Sequence, residues 1–190
     1  MVDKIEHIIV NSYQIIDRLP KKISASAFVN TLDVKALYPS IPFDYAMSAL
    51  EFWFEKLAFV PPPPFTKGFV IGATRFILNN SLFVFEGKTY KQLSGIAMGS
   101  NLSASVANLT MAYLEDNFFN GLNMNIITVN AIKRSWFRYL DDVICIWENI
   151  WSDFSKFVDL LNQFHPNFNF TFSHNKPTTI SYIINLPLFI

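Results

Sequence analysis

Asp141 and Asp142 stand side by side between two strand-like runs, Ser135–Arg138 and Val143–Trp147, at the tip of an apparent β-hairpin. Adjacent carboxylates repel, and in so apolar a setting the usual counter-charge is a divalent metal. A third acid, Asp33, ends a second apolar run, Val29–Val34. Two neighbouring carboxylates and one from another strand form the set that two-metal phosphoryl transfer requires. Taken alone, the Asp141-Asp142 pair also reads as a polar turn, because Asp favours turns.

The elements that must position these acids follow from periodicity. Phe28–Val34 reads as a buried strand. From Pro42, Phe43, Ala46, Met47, Leu50 and Phe54 recur at helical spacing, with Asp44 in the first turn to suit the helix dipole. Ile15, Ile16 and Leu19 share one face of a helix over residues 10–19. Pro61–Pro64 must be extended, and Phe65–Leu78 is a helix. A hairpin of Leu82–Phe85 and Thr89–Leu93 turns at Glu86-Gly87, and a glycine-bearing loop, Gly95–Ser100, leads into a helix over Ser103–Phe118. Val106, Leu109, Tyr113 and Phe119 are its candidate core contacts. Ser152 caps a helix whose buried face is Phe154, Phe157, Val158, Leu161 and Phe164, stopped by Pro166. Phe168, Phe170 and Phe172 alternate with polar residues, which predicts a strand with one wet face. The order of elements predicts one α+β domain over residues 1–190 with antiparallel pairing.

Half of the 190 residues are apolar, so the chain should fold around a core. Lys plus Arg equals Asp plus Glu at 15 each, which gives no overall basic field. That weighs against a complete polymerase and less against a catalytic core alone. The single Cys145 reads as a small buried hydrophobe; no disulfide can form, which suits a reducing, intracellular compartment and not a secreted protein. No stretch is long and apolar enough to span a membrane. His7, His165 and His174 lack metal-ligand spacing and read as surface or capping residues, while Lys133, Arg134 and Arg138 read as solvated charge before they read as contacts to nucleic-acid phosphate.

Three blocks in order resemble the palm of a reverse transcriptase, most closely the Penelope-like retroelement branch, over about residues 11–174. They are Leu32-Asp33-Val34-Lys35-Ala36-Leu37-Tyr38-Pro39-Ser40-Ile41-Pro42, then Gln92-Leu93-Ser94-Gly95-Ile96-Ala97-Met98-Gly99-Ser100 with Ala107-Asn108-Leu109, then Phe137-Arg138-Tyr139-Leu140-Asp141-Asp142. The resemblance implies a polymerase palm-type antiparallel sheet packed on helices, with fingers and thumb largely missing. It implies RNA-directed DNA polymerase activity, with primed RNA or DNA template and dNTPs as partners. A retroelement remnant, catalytically inactive and acting at most as a folding or interaction module, is the alternative.

Carried over residue by residue, Asp33, Asp141 and Asp142 are catalytic. With Val34 they are the metal ligands for two Mg²⁺, with Mn²⁺ as a substitute, about 3.5–4 Å apart. Tyr38 falls where the family places an aromatic under the sugar, excluding a 2′-hydroxyl, and reads equally as a core Tyr in the turn. The amides of Val34, Lys35, Ala36 and Leu37 could face the triphosphate. Gln92 could bond the incoming nucleotide or template, and Gly95 and Gly99 allow backbone to approach a base pair. Asn101 and Ala104 replace two family prolines, which loosens this loop. Lys176 falls near the family's next palm motif. The end, residues 175–190, departs from the family's strand and reads as divergent or truncated. An active retroelement enzyme would work in the nucleus.

Overall fold

The computed structural model describes residues 1–24, 26–148 and 151–175. In chain order it has a 3₁₀ turn (Val2–Lys4), α1 (Ser12–Arg18), β1 (Phe28–Val34), α2 (Leu37–Ser40), α3 (Phe43–Lys56) and α4 (Lys67–Asn79). There follow β2 (Leu82–Phe85), β3 (Lys88–Lys91), α5 (Ser103–Gly121), α6 (Ile126–Arg134), β4 (Trp136–Tyr139), β5 (Asp142–Trp147), α7 (Trp151–Phe164) and β6 (Phe170–Asn175). The residues group into two compact units, Met1–Ile5 with Ala36–Asn117, and Glu6–Lys35 with the chain from Phe118 on. The α+β expectation holds.

The second unit is a four-stranded antiparallel sheet in the order β4-β5-β1-β6. Side chains alternate between its faces. One face carries Leu32, Val34, Val143, Cys145, Trp147, Trp136 and Phe170, all buried. Against it lies α7, whose Phe154, Phe157, Val158 and Leu161 are at most 3% exposed. Their rings meet Trp147, Trp136 and Phe172 edge-on or tilted, the arrangement the ring quadrupole favours. Burial pushes the Cys145 thiol up to about 12, so it is an inert hydrophobe as expected. The other face is the wetter one: Thr31 and Thr171 are half-buried, and Asp33, Asp142, Tyr139 and Ser173 are exposed.

In the first unit α3 buries Ala46, Met47, Ala49, Leu50, Trp53 and Phe54, the stripe its spacing predicts with Ala49 and Trp53 added and Phe43 only half-buried. The indole N–H of Trp53 donates to the Leu109 carbonyl of α5 at 2.9 Å. Along α5, Ala107, Thr110, Met111, Ala112, Leu114 and Glu115 are all fully buried, so this helix is surrounded and carries little amphipathic signal. Thr66 caps α4 by accepting from the Phe69 amide at 3.1 Å. The hairpin β2–β3 turns at Glu86 and Gly87, both with positive φ, and its apolar residues lie exposed on both faces.

Four local expectations change. Phe164, expected on the buried face of α7, is 41% exposed. The face of α1 is not buried: Ile16 is exposed and Ile15 only half-buried, because about two turns capped by Asn11 present too little surface to dock. A helix, α6, occupies 126–134 where none was expected. Asn125 caps the Ile127 amide at 2.8 Å, and Val129 and Ile132, three apart, turn inward. The Phe-rich strand begins at Phe170, with Phe168 buried ahead of it. The proline run is non-helical, as predicted. The Ser152 side chain, Lys176 and the 176–190 end lie outside the described residues.

Candidate active site

The hairpin β4–β5 closes through a two-residue turn, Leu140-Asp141, with Leu140 left-handed at φ 53°. Strand β5 then runs beside β1, which sets Asp142 directly opposite Asp33. Their neighbours Val34 and Asp141 form a hydrogen-bonded position, the Val34 amide donating to the Asp141 carbonyl at 3.1 Å. Asp33 and Asp142 therefore occupy the adjoining non-bonded position, where Cα atoms approach to about 4.5 Å and side chains come closest. Across the sheet the row reads Tyr139, Asp142, Asp33, Thr171, all four on one face. The next row brings Thr31 to Ser173, their hydroxyls 2.7 Å apart. Asp141 is half-buried in the turn, beside this row.

The electrostatics follow from that register. Burial, then the Asp141 carboxylate, then Asp33 hold the Asp142 carboxyl above its ordinary 3.8. Its acidity is thus set by burial and by like charge. Among the described residues no three His, Cys, Asp or Glu side chains are arranged to hold a metal ion as they stand.

A stability signature follows. With the folded-state value raised, the folded protein binds more protons than the unfolded chain between 3.8 and that higher value. Charging Asp142 therefore destabilises the metal-free fold as pH rises through this window. Thermal melts of wild type and Asp142→Asn should show the wild type gaining on the variant as pH is lowered toward 4. A difference that stays constant with pH would show that the carboxylates do not interact.

Two of the amides expected to face a triphosphate are already engaged, a correction to the sequence reading. The Val34 N–H bonds Asp141, and the Lys35 N–H donates to the Asn169 carbonyl at 2.9 Å, because the ladder of β1 continues to its end on both sides. Ala36 leaves the strand with φ 47° and starts α2, whose first residue is Leu37. Arg138, expected in solvent, is fully buried, and its Nη1 donates to the Leu140 carbonyl at 3.1 Å. Its backbone pairs with the His7–Ile9 segment, distant in sequence, and the local pattern carries no signal of that. Lys133 is half-buried beside Asn120 Oδ1 at 3.1 Å, and Arg134 is exposed. The His165 Nδ1 accepts from the Asn167 amide, the turn-capping role expected of it.

The remaining residues lie in the first unit. The Ile96 amide donates to the Tyr38 carbonyl at 2.9 Å, so the glycine loop is stitched to the Tyr38-Pro39 turn. Gly95 has φ 72°, and a Cβ there would lie 2.6 Å from Pro39 Cα. Gly95→Ala should cost roughly 1–3 kcal/mol, read by denaturant titration, since both the backbone conformation and the contact oppose it. An unchanged midpoint would mean that the loop does not hold this approach. Gly99 has φ 88° with open space around it. Gln92 donates from its side chain to the Ser94 carbonyl at 2.9 Å and from its amide to Ser81. Tyr38 is half-buried.

No family model matches the chain, and no curated protein matches it in sequence. Solved structures do. The chain is similar to apo telomerase from Candida tropicalis, with TM-score 0.67 and 14% identity over 92% of this chain and 34% of that one. A form truncated from its C-terminal domain gives 0.65 and 14%, over 90% and 36%. Telomerase from Candida albicans, in complex with a fragment of telomeric RNA, gives 0.63 and 12%, over 93% and 33%. The chain spans about a third of the length of these structures. At such identities the likeness is one of fold, and the fold is reverse-transcriptase-like.

Proposed function

We propose that this chain performs reverse-transcriptase chemistry. It joins a deoxynucleotide to a primer 3′-hydroxyl on an RNA or DNA template, as part of an element of the Penelope-like retroelement branch. The observation that carries the reading is the carboxylate set: Asp33 and Asp142 opposite one another on the open sheet face, with Asp141 in the adjoining turn. Three hard oxygen donors without a soft one suit Mg²⁺ or Mn²⁺, and exposed carboxylates can rotate and leave room for water and substrate oxygens. Asp33, Asp141 and Asp142, with Val34 from its backbone, would hold two such ions. When bound, these supply the charge that lowers the primer hydroxyl's pKa and offsets charge on the reacting phosphate and departing pyrophosphate.

The chain's own part is placement. Asp142, held above its ordinary pKa by burial and by two carboxylates, would be relieved by a bound cation, and the ladder bond from Val34 to Asp141 keeps the turn in register with β1. Tyr38, its carbonyl tied to Ile96, is the proposed sugar reader, the ring rejecting a 2′-hydroxyl. Two telomerases of similar fold were solved with a telomeric RNA fragment, which supports an RNA template.

The test is extension of a DNA primer on an RNA template by the purified chain with dNTPs and Mg²⁺. Extension that stops on chelation, with a dNTP preference that falls in Tyr38→Ala, supports the reading. A folded chain that extends no primer on any template favours the inactive interaction module.

A further inference from the structure

We propose that Arg138 is a positioning residue for the carboxylate set, holding the turn that presents Asp141 and Asp142. The inference rests on the reading of those carboxylates as metal ligands.

Arg138 lies on the buried face of β4, one residue before Tyr139, and none of it reaches solvent. A guanidinium is placed in such a setting only at a high desolvation cost, and it must be hydrogen-bonded there. One of its bonds runs from Nη1 to the Leu140 carbonyl at 3.1 Å. Leu140 is the turn residue with φ 53°, a left-handed conformation that costs a residue with a Cβ about 1–2 kcal/mol. The buried cation thus grips the strained peptide immediately before Asp141, with a charge-assisted bond.

The backbone of Arg138 is itself clamped. Its amide donates to the His7 carbonyl at 2.9 Å, and its carbonyl accepts from the Ile9 amide at 2.7 Å. A parallel bridge with Ile8 therefore covers the edge of β4 that β5 does not. Arg18 ties the same segment down through the carbonyls of Glu6 and Ile8. The guanidinium consequently reaches Leu140 from a fixed base. It acts through the turn, since its bond is to the carbonyl of the residue that precedes Asp141.

The experiment is Mn²⁺ binding to the purified chain by electron paramagnetic resonance, for wild type, Arg138→Met and Arg138→Lys, with circular dichroism and melting as controls. Arg138→Met should keep the fold while losing about ten-fold or more in Mn²⁺ affinity, the size expected when a support of a metal ligand is removed. Arg138→Lys should recover part of the loss. If Arg138→Met does not fold, Arg138→Lys decides: it keeps the buried charge but loses the guanidinium that reaches the Leu140 carbonyl, so a stable protein with Mn²⁺ affinity below wild type supports the proposal, and wild-type affinity overturns it. Unchanged affinity in folded Arg138→Met also overturns it, leaving Arg138 a purely structural residue. Wild type that binds no Mn²⁺ overturns the carboxylate reading, and this inference with it.

Discussion

Asp141→Asn should abolish metal-dependent primer extension while leaving the fold intact. The carboxamide has the size of the carboxylate, and the contact that Asp141 makes to β1 is through its backbone carbonyl, which accepts from Val34 and does not depend on the side chain. What is lost is charge. A divalent cation in a nucleotidyl-transfer site contributes several kcal/mol of transition-state stabilisation, and each 1.36 kcal/mol is a factor of ten in rate. Removing one ligand of the set should therefore slow extension by on the order of 10³-fold. The same substitution takes away one of the two carboxylates that, after burial, hold the Asp142 carboxyl above its ordinary pKa, so the metal-free variant should melt no lower than wild type at neutral pH. Single-turnover extension and thermal melts of the same preparation check both parts. Extension at the wild-type rate would point to a contaminating polymerase or to chemistry elsewhere in the chain.

The acids were legible in the sequence because each sits at the end of a strand-like run, where local pattern and turn chemistry speak loudest. Their register was not. That Asp33 faces Asp142, one position past the Val34–Asp141 bond, is a non-local fact about strands more than 100 residues apart in the chain. The same limit explains Arg138. A charged residue between Phe137 and Tyr139 reads as the polar member of an alternating strand, yet the His7–Ile9 segment pairs with β4 along its free edge, and the arginine is buried. Helix α6 was hidden for a local reason. Ile126, Ile127, Thr128 and Val129 are β-branched and weak helix formers, and only the Asn125 cap and the inward spacing of Val129 and Ile132 reveal it. The ladder bonds of Val34 and Lys35 belong with the register: once β1 is a central strand, its amides serve the sheet before any ligand.

Phe157→Ala is expected to destabilise the fold more than Gly95→Ala or Asp141→Asn. Phe157 is 3% exposed, and its ring meets five others: Trp147 at 5.3 Å, Phe118 at 5.4 Å, Trp136 at 6.0 Å, and Phe119 and Phe154 each at 6.3 Å. Truncating a buried Phe to Ala costs about 3–5 kcal/mol, a transfer loss plus a cavity that rigid aromatic neighbours cannot close. A domain's whole stability is about 5–15 kcal/mol, so most of the margin could go. Denaturant titration should show the midpoint fall sharply with little change in slope. Leu160→Ala, on the same helix but 51% exposed, should move it by no more than about 0.5 kcal/mol. The contrast bears on the site, because Trp147, which rests on Phe157, lies on β5, the strand that begins at Asp142. Loss of extension in Phe157→Ala should follow loss of the folded fraction and be relieved at low temperature, whereas loss in Asp141→Asn should not. If Phe157→Ala costs less than about 1 kcal/mol, the ring cluster is not the support of the sheet, and the placement of the carboxylates must rest on the hairpin and the β1 ladder alone.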